Sequence, residues 1–341
     1  MSAAFPLDSG LFTWLLVALA CLLDRLVGDP HGLLHPVQVM GWCISRLREA
    51  AESLAGDRPR SLRLAGGLIT GVLVIGSGLA GWGLERLSLT WPVVGLPLMG
   101  LGLASALAGG SLRRAVEHVL EALPDLTEAR RRLAWIVGRD VTGLSEPEIL
   151  RAAAETASEN AVDGLFAPLF WMLVGAALWG AFPATAAPGP LALAWGFKAA
   201  STLDSMLGYR YGRLRWLGTA GARLDDGLTW LPCRLVALSL PLAAGRPTAW
   251  ARWWQAALRD GAADPSPNAG VSQAAYAHAA GVRLGGVNRY ADGLRAKPVL
   301  AADQSPPDRQ AVARMLTLTD RLELLWLLVS AGLALLLALV R

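Results

Sequence analysis

Lysine is almost missing from this chain of 341 residues: Lys198 and Lys297 are the only two, so the 31 basic residues are nearly all arginine. They are spread over loops without a basic run, and the net charge of +4 is modest, which excludes the dense cationic footprint of a nucleic-acid binder. Cysteine is scarce as well. Cys21, Cys43 and Cys233 lie far apart with no C-x-x-C spacing, which excludes a zinc site and a disulfide framework. Neither a Walker loop nor a G-x-G-x-x-G fingerprint occurs, and no internal repeat or low-complexity tract is present beyond the Pro/Ala-rich linker 183–190. Charged residues make up only 17% of the chain against 54% hydrophobic, with a mean hydropathy of +0.41, which excludes two ordinary soluble domains.

Long apolar runs take their place. Segments 11–23, 64–84, 89–110, 165–182, 190–206, 228–244 and 322–340 approach the roughly 20 residues that cross a bilayer. Helical periodicity dominates and no sustained alternation argues for a sheet, so the expected fold is an all-α, polytopic integral membrane helix bundle forming a single membrane domain. The first segment lacks a basic n-region and a small-residue cleavage site, and reads as a retained anchor. Arginines crowd the polar stretches 24–63, 111–160 and 246–321, which the positive-inside rule assigns to the cytoplasm, with the amino terminus outside. That assignment requires segment 228–244, short and carrying Pro232, Arg234 and Pro241, to be re-entrant or to lie on the surface, leaving six crossings.

The chemistry centres on Glu155-Thr156-Ala157-Ser158-Glu159-Asn160-Ala161-Val162-Asp163-Gly164. In a helix, Glu155, Glu159 and Asp163 recur every four residues along one stripe. Such a stripe is neutralised either by open water or by a hard divalent ion such as Mg2+, to which Asn160 adds an oxygen. Lys198 interrupts an apolar run and needs a counter-charge, which Asp204, six residues on, is badly placed to give; the acid stripe is the obvious source. Asp225 and Asp226 follow Arg223 as a cation-binding corner or a helix cap, and Arg234 suits a phosphate or carboxylate. In the 259–270 loop, Asp264 or Ser266 caps a helix whose free amides can hold a phosphate, and Gly285-Gly286-Val287-Asn288-Arg289-Tyr290 has the glycines of a tight turn. Asp29, before Pro30 and His31, stands at the mouth of the first helix, where it can face a ligand.

Taken together, the Asp24–Pro30 start, Glu155-Thr-Ala-Ser-Glu-Asn-x-x-Asp-Gly, Lys198-Ala-x-x-Thr-x-Asp-Ser-Met, Arg223-x-Asp-Asp and Ser266-Pro-Asn-Ala-Gly resemble the cobinamide-phosphate synthase family of adenosylcobalamin biosynthesis. The resemblance spans nearly the whole chain in the same motif order. It implies an inner-membrane ligase, its active site facing the cytoplasm, that joins cobyric acid to (R)-1-aminopropan-2-ol or its phosphate through an amide, with ATP consumed.

On that implication Glu155, Glu159, Asp163 and Asp226 are expected to hold Mg2+, with Asn160 orienting them. Lys198 is expected to stabilise phosphoryl charge and Asp204 or Asp225 to take the amine's proton. Asp29, Arg234, Asp264, Ser266, Asn268, Arg289 and Tyr290 are expected to bind substrate or phosphate. Cobalt arrives only within the corrin, and no histidine set here would ligate it. Lipid and other membrane proteins of the cobalamin pathway are the expected partners. Two rival readings are a membrane transporter, with Lys198 and Asp163 lining a path, and a non-catalytic signalling relative of the same superfamily.

Overall fold

The computed structural model describes residues 10–28, 35–290 and 293–340, so the expectations for Asp29 and His31 lie outside the described residues. Fourteen α-helices are described: α1 Gly10–Val27, α2 Pro36–Ala55, α3 Pro59–Thr90, α4 Pro92–Ala104, α5 Gly109–Glu121, α6 Leu126–Leu133, α7 Glu146–Ala161, α8 Ala167–Ala181, α9 Pro190–Leu207, α10 Leu214–Leu217, α11 Thr219–Ala243, α12 Trp250–Gly261, α13 Ala269–Ala280 and α14 Arg309–Val340. A π-helical turn, Val162–Phe166, joins α7 to α8, and one antiparallel hairpin is formed by β1 Leu284–Tyr290 and β2 Gly293–Leu300. The chain is an all-α membrane helix bundle.

Among the described residues, Gly10–Val27, Pro59–Thr90, Glu146–Ala181 and Arg309–Leu339 are long and apolar enough to cross a membrane; Pro92–Ala104 with Gly109–Glu121 makes a fifth if that broken pair is one crossing. Segment 89–110, expected as one run, is thus split after Thr90 and again after Ala104. Segment 228–244 lies within the unbroken helix α11 despite Pro232 and Pro241. The long helices expose what a soluble protein would hide. Leu64, Leu68, Val72, Ile75 and Leu79 form an exposed apolar stripe on α3, and Leu324, Leu328, Leu335 and Leu339 do so on α14. Lipid is the solvent that removes the cost of those faces.

The chain divides into two compact units, residues 1–108, 167–228 and 327–341 in the first and 109–166 and 229–326 in the second. In the first, α3 lies along α9 because small residues let backbones meet. A Cβ on Gly81 would stand 2.8 Å from the Leu191 carbonyl oxygen, and one on Gly66 only 1.9 Å from that of Leu217. Glu85 of α3, 0% exposed, fixes the register of the pair. Its Oε2 accepts the Gly189 N–H at 2.9 Å, and its Oε1 accepts those of Leu191 at 2.7 Å and Ala192 at 2.9 Å. The Glu85 side chain therefore satisfies the free amides at the start of α9.

In the second unit, α7 starts at Ser145, whose N–H donates to Glu148 Oε2 at 2.8 Å with Pro147 in the first turn, and continues through an alanine-rich run that is buried. Gly261 and Gly270 let α12 and α13 touch; a Cβ on Gly270 would lie 2.4 Å from the Gly261 carbonyl oxygen. The hairpin is an element that helical periodicity did not foretell. Gly285, Gly286 and Gly293 have φ of +85°, +106° and +128°, values that cost glycine little, and they remove the side-chain alternation by which a strand is recognised in sequence.

Candidate functional site

The second unit gathers its ionisable side chains where α7, α13 and the hairpin meet. Helical spacing does place Glu155 and Glu159 one turn apart on α7, but the environments differ. Glu155, 2% exposed, has both oxygens engaged. Its Oε2 pairs with the Arg139 guanidinium, while its Oε1 accepts the Gly285 N–H at 2.9 Å and faces Arg151 Nη1 at 3.3 Å. Arg139 Nη1 also donates to Asn288 Oδ1 at 2.9 Å, and Arg151 donates to the carbonyls of Gly285 at 2.8 Å and Val287 at 3.1 Å. Glu155 is therefore the electrostatic anchor of β1 on α7. Both of its oxygens, expected to face a metal, are turned toward protein donors.

Glu159 faces different company. Its Oε2 accepts Gln273 Nε2 of α13 at 2.7 Å. Lys297 Nζ of β2 lies 3.4 Å from Asp264 Oδ2, in the loop before α13. Burial works to lower the Lys297 pKa, but the Glu159 and Asp264 carboxylates outweigh it and hold the ammonium above its ordinary value. A charged lysine flanked by two acids, with the amide of Gln273 beside them, is the core of this site. Register puts Lys297 opposite Gly286 and Arg295 opposite Asn288, so all four share one face of the hairpin. Asn288 is 3% exposed and its Nδ2 is a buried donor without a partner, a group suited to an acceptor oxygen of a ligand.

The other expected residues of this unit take definite places. Asp163 falls on the π-helical turn, one turn beyond Glu159. Asn160 Nδ2 donates to Thr156 Oγ1 at 2.8 Å. The loop before α13 is closed on itself: Asp264 Oδ1 accepts the Ser266 N–H at 2.9 Å, and Ser266 Oγ accepts those of Asn268 at 3.3 Å and Ala269 at 3.2 Å. Ser266 thus braces the turn that leads into α13, whose cap position is Asn268. Arg234, awkward within an apolar segment, is satisfied by Asn268 Oδ1 at 2.6 Å and the Pro267 carbonyl at 2.7 Å. Arg289 is exposed on the strand face opposite Asn288, near Asp140 and Glu148, so the cation turned toward the acids is Lys297 and not Arg289. Tyr290 lies under the Arg295 guanidinium, 5.0 Å from it.

The first unit holds the remaining expected residues, Lys198 and Asp204 of α9 with Asp225 and Asp226 of α11. The fourth residue expected to bind metal, Asp226, is thus in a different unit from the other three, and its charge is faced by Arg210. Asp225 precedes the apolar run of α11. Burial first, then the neighbouring Asp204 and Asp226 carboxylates, push its pKa up to about 7, and Lys198 works against them. The counter-charge of Lys198 thus includes an acid of α11. Asp204 lies close against Gly208, where a Cβ would fall 2.0 Å from its Oδ1.

Among the described residues no group of three or more His, Cys, Asp or Glu side chains is gathered to hold a metal on its own. Mg2+ carried by a nucleotide needs only one or two carboxylates, its other oxygens being phosphate and water, and Glu159 with Asp163 fits that smaller set. Lys297, Gln273, Asn288, Arg139 and Arg151 were not singled out from sequence. The rarity of lysine was the one available signal, since Lys297 is half of the chain's complement.

Comparison with known proteins gives a consistent picture. A protein-family model described as CobD/Cbib protein matches residues 17–319. "Cobalamin biosynthesis protein CobD" of Synechocystis sp. is 41% identical over 318 residues, covering 91% of this chain and 89% of its own. The protein of the same name from Geobacter metallireducens is 40% identical, covering 92% and 95%. "Cobalamin biosynthesis protein CbiB" of Salmonella typhimurium is 36% identical over 326 residues, covering 94% and 95%. No solved structure matches.

Proposed function

Since the chain belongs to the CobD/CbiB family, its place is in cobalamin biosynthesis, and we propose that it forms the amide between a propionate of cobyric acid and (R)-1-aminopropan-2-ol or its phosphate, with ATP consumed. The observation that carries this reading is the ammonium of Lys297 held beside Asp264 and Glu159 at the face of a hairpin that also presents an unpartnered amide donor.

A carboxylate does not react with an amine at neutral pH until its oxygen is made a leaving group. In the proposed sequence a propionate oxygen attacks the γ-phosphorus of ATP and ADP departs; the amine nitrogen then attacks the acyl carbon and inorganic phosphate departs. Mg2+, held by Glu159 and Asp163, would supply charge neutralisation at the phosphate oxygens. Lys297 is the protein's cation for the same oxygens, and the Asn288 Nδ2–H is a donor for a carboxylate or phosphoryl oxygen. Glu155, through Arg139 and Gly285, keeps β1 and hence Asn288 in register. Gln273 orients Glu159. The amine must lose a proton as the C–N bond forms, and a carboxylate is the proposed acceptor. The cytoplasm, where ATP is found, is the proposed side of the site.

The test incubates detergent-purified protein with cobyric acid, Mg-ATP and each amine in turn and determines the corrin product by mass. A product heavier by one aminopropanol or aminopropanol phosphate, less water, is expected, with ADP released in equal amount. Glu159→Gln keeps an acceptor for Gln273 and should retain the fold while losing turnover; Lys297→Met should lower kcat by about 10²-fold or more. Near-normal turnover in both variants would remove this site from the reaction.

A further inference from the structure

The first unit contains a cavity of about 480 Å³ among α3, α8, α9 and the start of α11 that none of the proposed chemistry uses. Its walls are apolar. Val74, Gly78 and Trp82 line it from α3, Gly196 and Phe197 from α9, and Trp171 of α8 lies at one side, where its indole N–H donates to the Leu228 carbonyl at 3.2 Å. From Val74 to Trp82 the wall follows α3 for eight residues, about 12 Å at 1.5 Å per residue. The slot therefore runs along the helix axes, the direction in which a lipid chain lies.

One end of the slot is not apolar. The 186–188 link lines it, and the Glu85 carboxylate caps α9 close by through Gly189, Leu191 and Ala192, which marks this as the end of the bundle where the chain turns. The Trp82 ring lies there, and the Arg86 guanidinium stands over it, 5.7 Å from its centroid. Arg86 Nη1 is buried and has no hydrogen-bond partner. Glu85, next in sequence, spends both oxygens on α9. A guanidinium with an unused donor, at the mouth of an apolar slot in a membrane helix bundle, is matched by an amphiphile with an anionic head and an alkyl tail.

We propose that this cavity is a binding site for one anionic phospholipid, its acyl chain between α3 and α9 and its phosphate on Arg86. Trp82 holds the boundary between the two parts, apolar on the slot side and stacked on the cation. Glycines at 78 and 196 keep the slot open; a Cβ at Gly196 would come no nearer than 3.8 Å to any neighbouring atom, and one at Gly78 no nearer than 3.5 Å, so both positions have room for a side chain. The site is independent of the amide-forming reaction and its test stands whether or not that reading holds.

The experiment purifies the full chain from membranes of mixed phosphatidylethanolamine and phosphatidylglycerol in a mild detergent, extracts the retained lipid, and quantifies each class per chain by mass spectrometry. The expected result is about one tightly retained phospholipid per chain, enriched at least several-fold in phosphatidylglycerol over the source membrane. Arg86→Gln, which removes the guanidinium and its stacking on Trp82, should return the retained lipid to the membrane's ratio. Gly196→Leu should fill the slot and lose the retained lipid, with Gly78→Leu as the second filling variant if the first does not give a monodisperse protein. Retained lipid of bulk composition in the wild type, or enrichment unchanged by Arg86→Gln, overturns the proposal.

Discussion

Glu155 and Glu159 differ by one helical turn and are the same residue type, yet their surroundings predict opposite responses to mutation. Removing Glu155 leaves the largely buried guanidinium groups of Arg139 and Arg151 without their shared carboxylate, and breaking a buried pair from one side costs up to about 3–5 kcal/mol. Glu155→Ala is therefore expected to lower the Tm measured in detergent by many degrees, whereas Glu159→Gln should shift it little and act on turnover. The spacing of the two acids was readable from the chain, but their division of labour was not, because it depends on Gly285 and Gln273, more than a hundred residues further on. Asp225 offers a separate prediction at this scale. Burial and the Asp204 and Asp226 carboxylates raise its pKa from 3.8 to about 7, so the folded chain keeps a proton that an unfolded one has lost, and the first unit should lose stability as pH rises between those values. Lys198 favours the ionised form; Lys198→Met should deepen that loss, and Asp225→Asn should abolish it. A profile of Tm against pH for the three proteins in detergent decides the matter.

Between elements, the contact of α3 with α9 and α10 depends on which glycine faces inward. Gly66 and Gly67 are adjacent, but a Cβ on Gly66 would lie 1.9 Å from the Leu217 carbonyl oxygen and one on Gly67 would meet nothing within 4 Å. Gly66→Ala is expected to destabilise the first unit by about 1–3 kcal/mol or more through forced separation of backbones. Gly67→Ala should be neutral or stabilise by up to about 1 kcal/mol through helix propensity. Thermal unfolding of the pair in the same detergent is the check. Helices this apolar announce themselves in sequence, so α8 and α9 were legible almost to the residue and the apolar bodies of α1 and α3 nearly so. Helix α14, by contrast, starts at Arg309, well before its expected run at 322, because its first turns are polar. The hairpin was not legible. Its glycines erase the alternating pattern, and the register that sets Lys297 opposite Gly286 is a tertiary fact with no local signal. Half of the candidate site was hidden for that reason: the acids lie on a helix whose period can be read, and the cation lies on a strand whose period cannot.

On the scale of the whole chain, the arginine distribution makes a prediction that neither helix length nor packing can make. Stretches 24–63, 111–160 and 246–321 carry most of the loop arginines, and the 183–189 link carries none. Moving a guanidinium across the bilayer against the membrane potential and the translocation machinery is costly, so arginine-rich loops stay on the cytoplasmic side and arginine-free links are exported. Two of the three native cysteines, Cys21 and Cys233, are buried, which leaves Cys43 as the only thiol to replace before single-cysteine labelling. In a Cys43→Ser background, an exposed residue of the link, Thr185→Cys, is expected to react with a membrane-impermeant maleimide in intact cells. Glu121→Cys and Ala302→Cys, exposed positions in the arginine-rich stretches, should react only after the membrane is opened. A reaction that consumes ATP requires its site on the side where ATP is made, so the same labelling bears on function: the stretch from 246 to 321 contains Asp264, Gln273, Asn288 and Lys297, and modification of Ala302→Cys from outside intact cells would place those residues away from the nucleotide and end the proposed reaction along with the orientation.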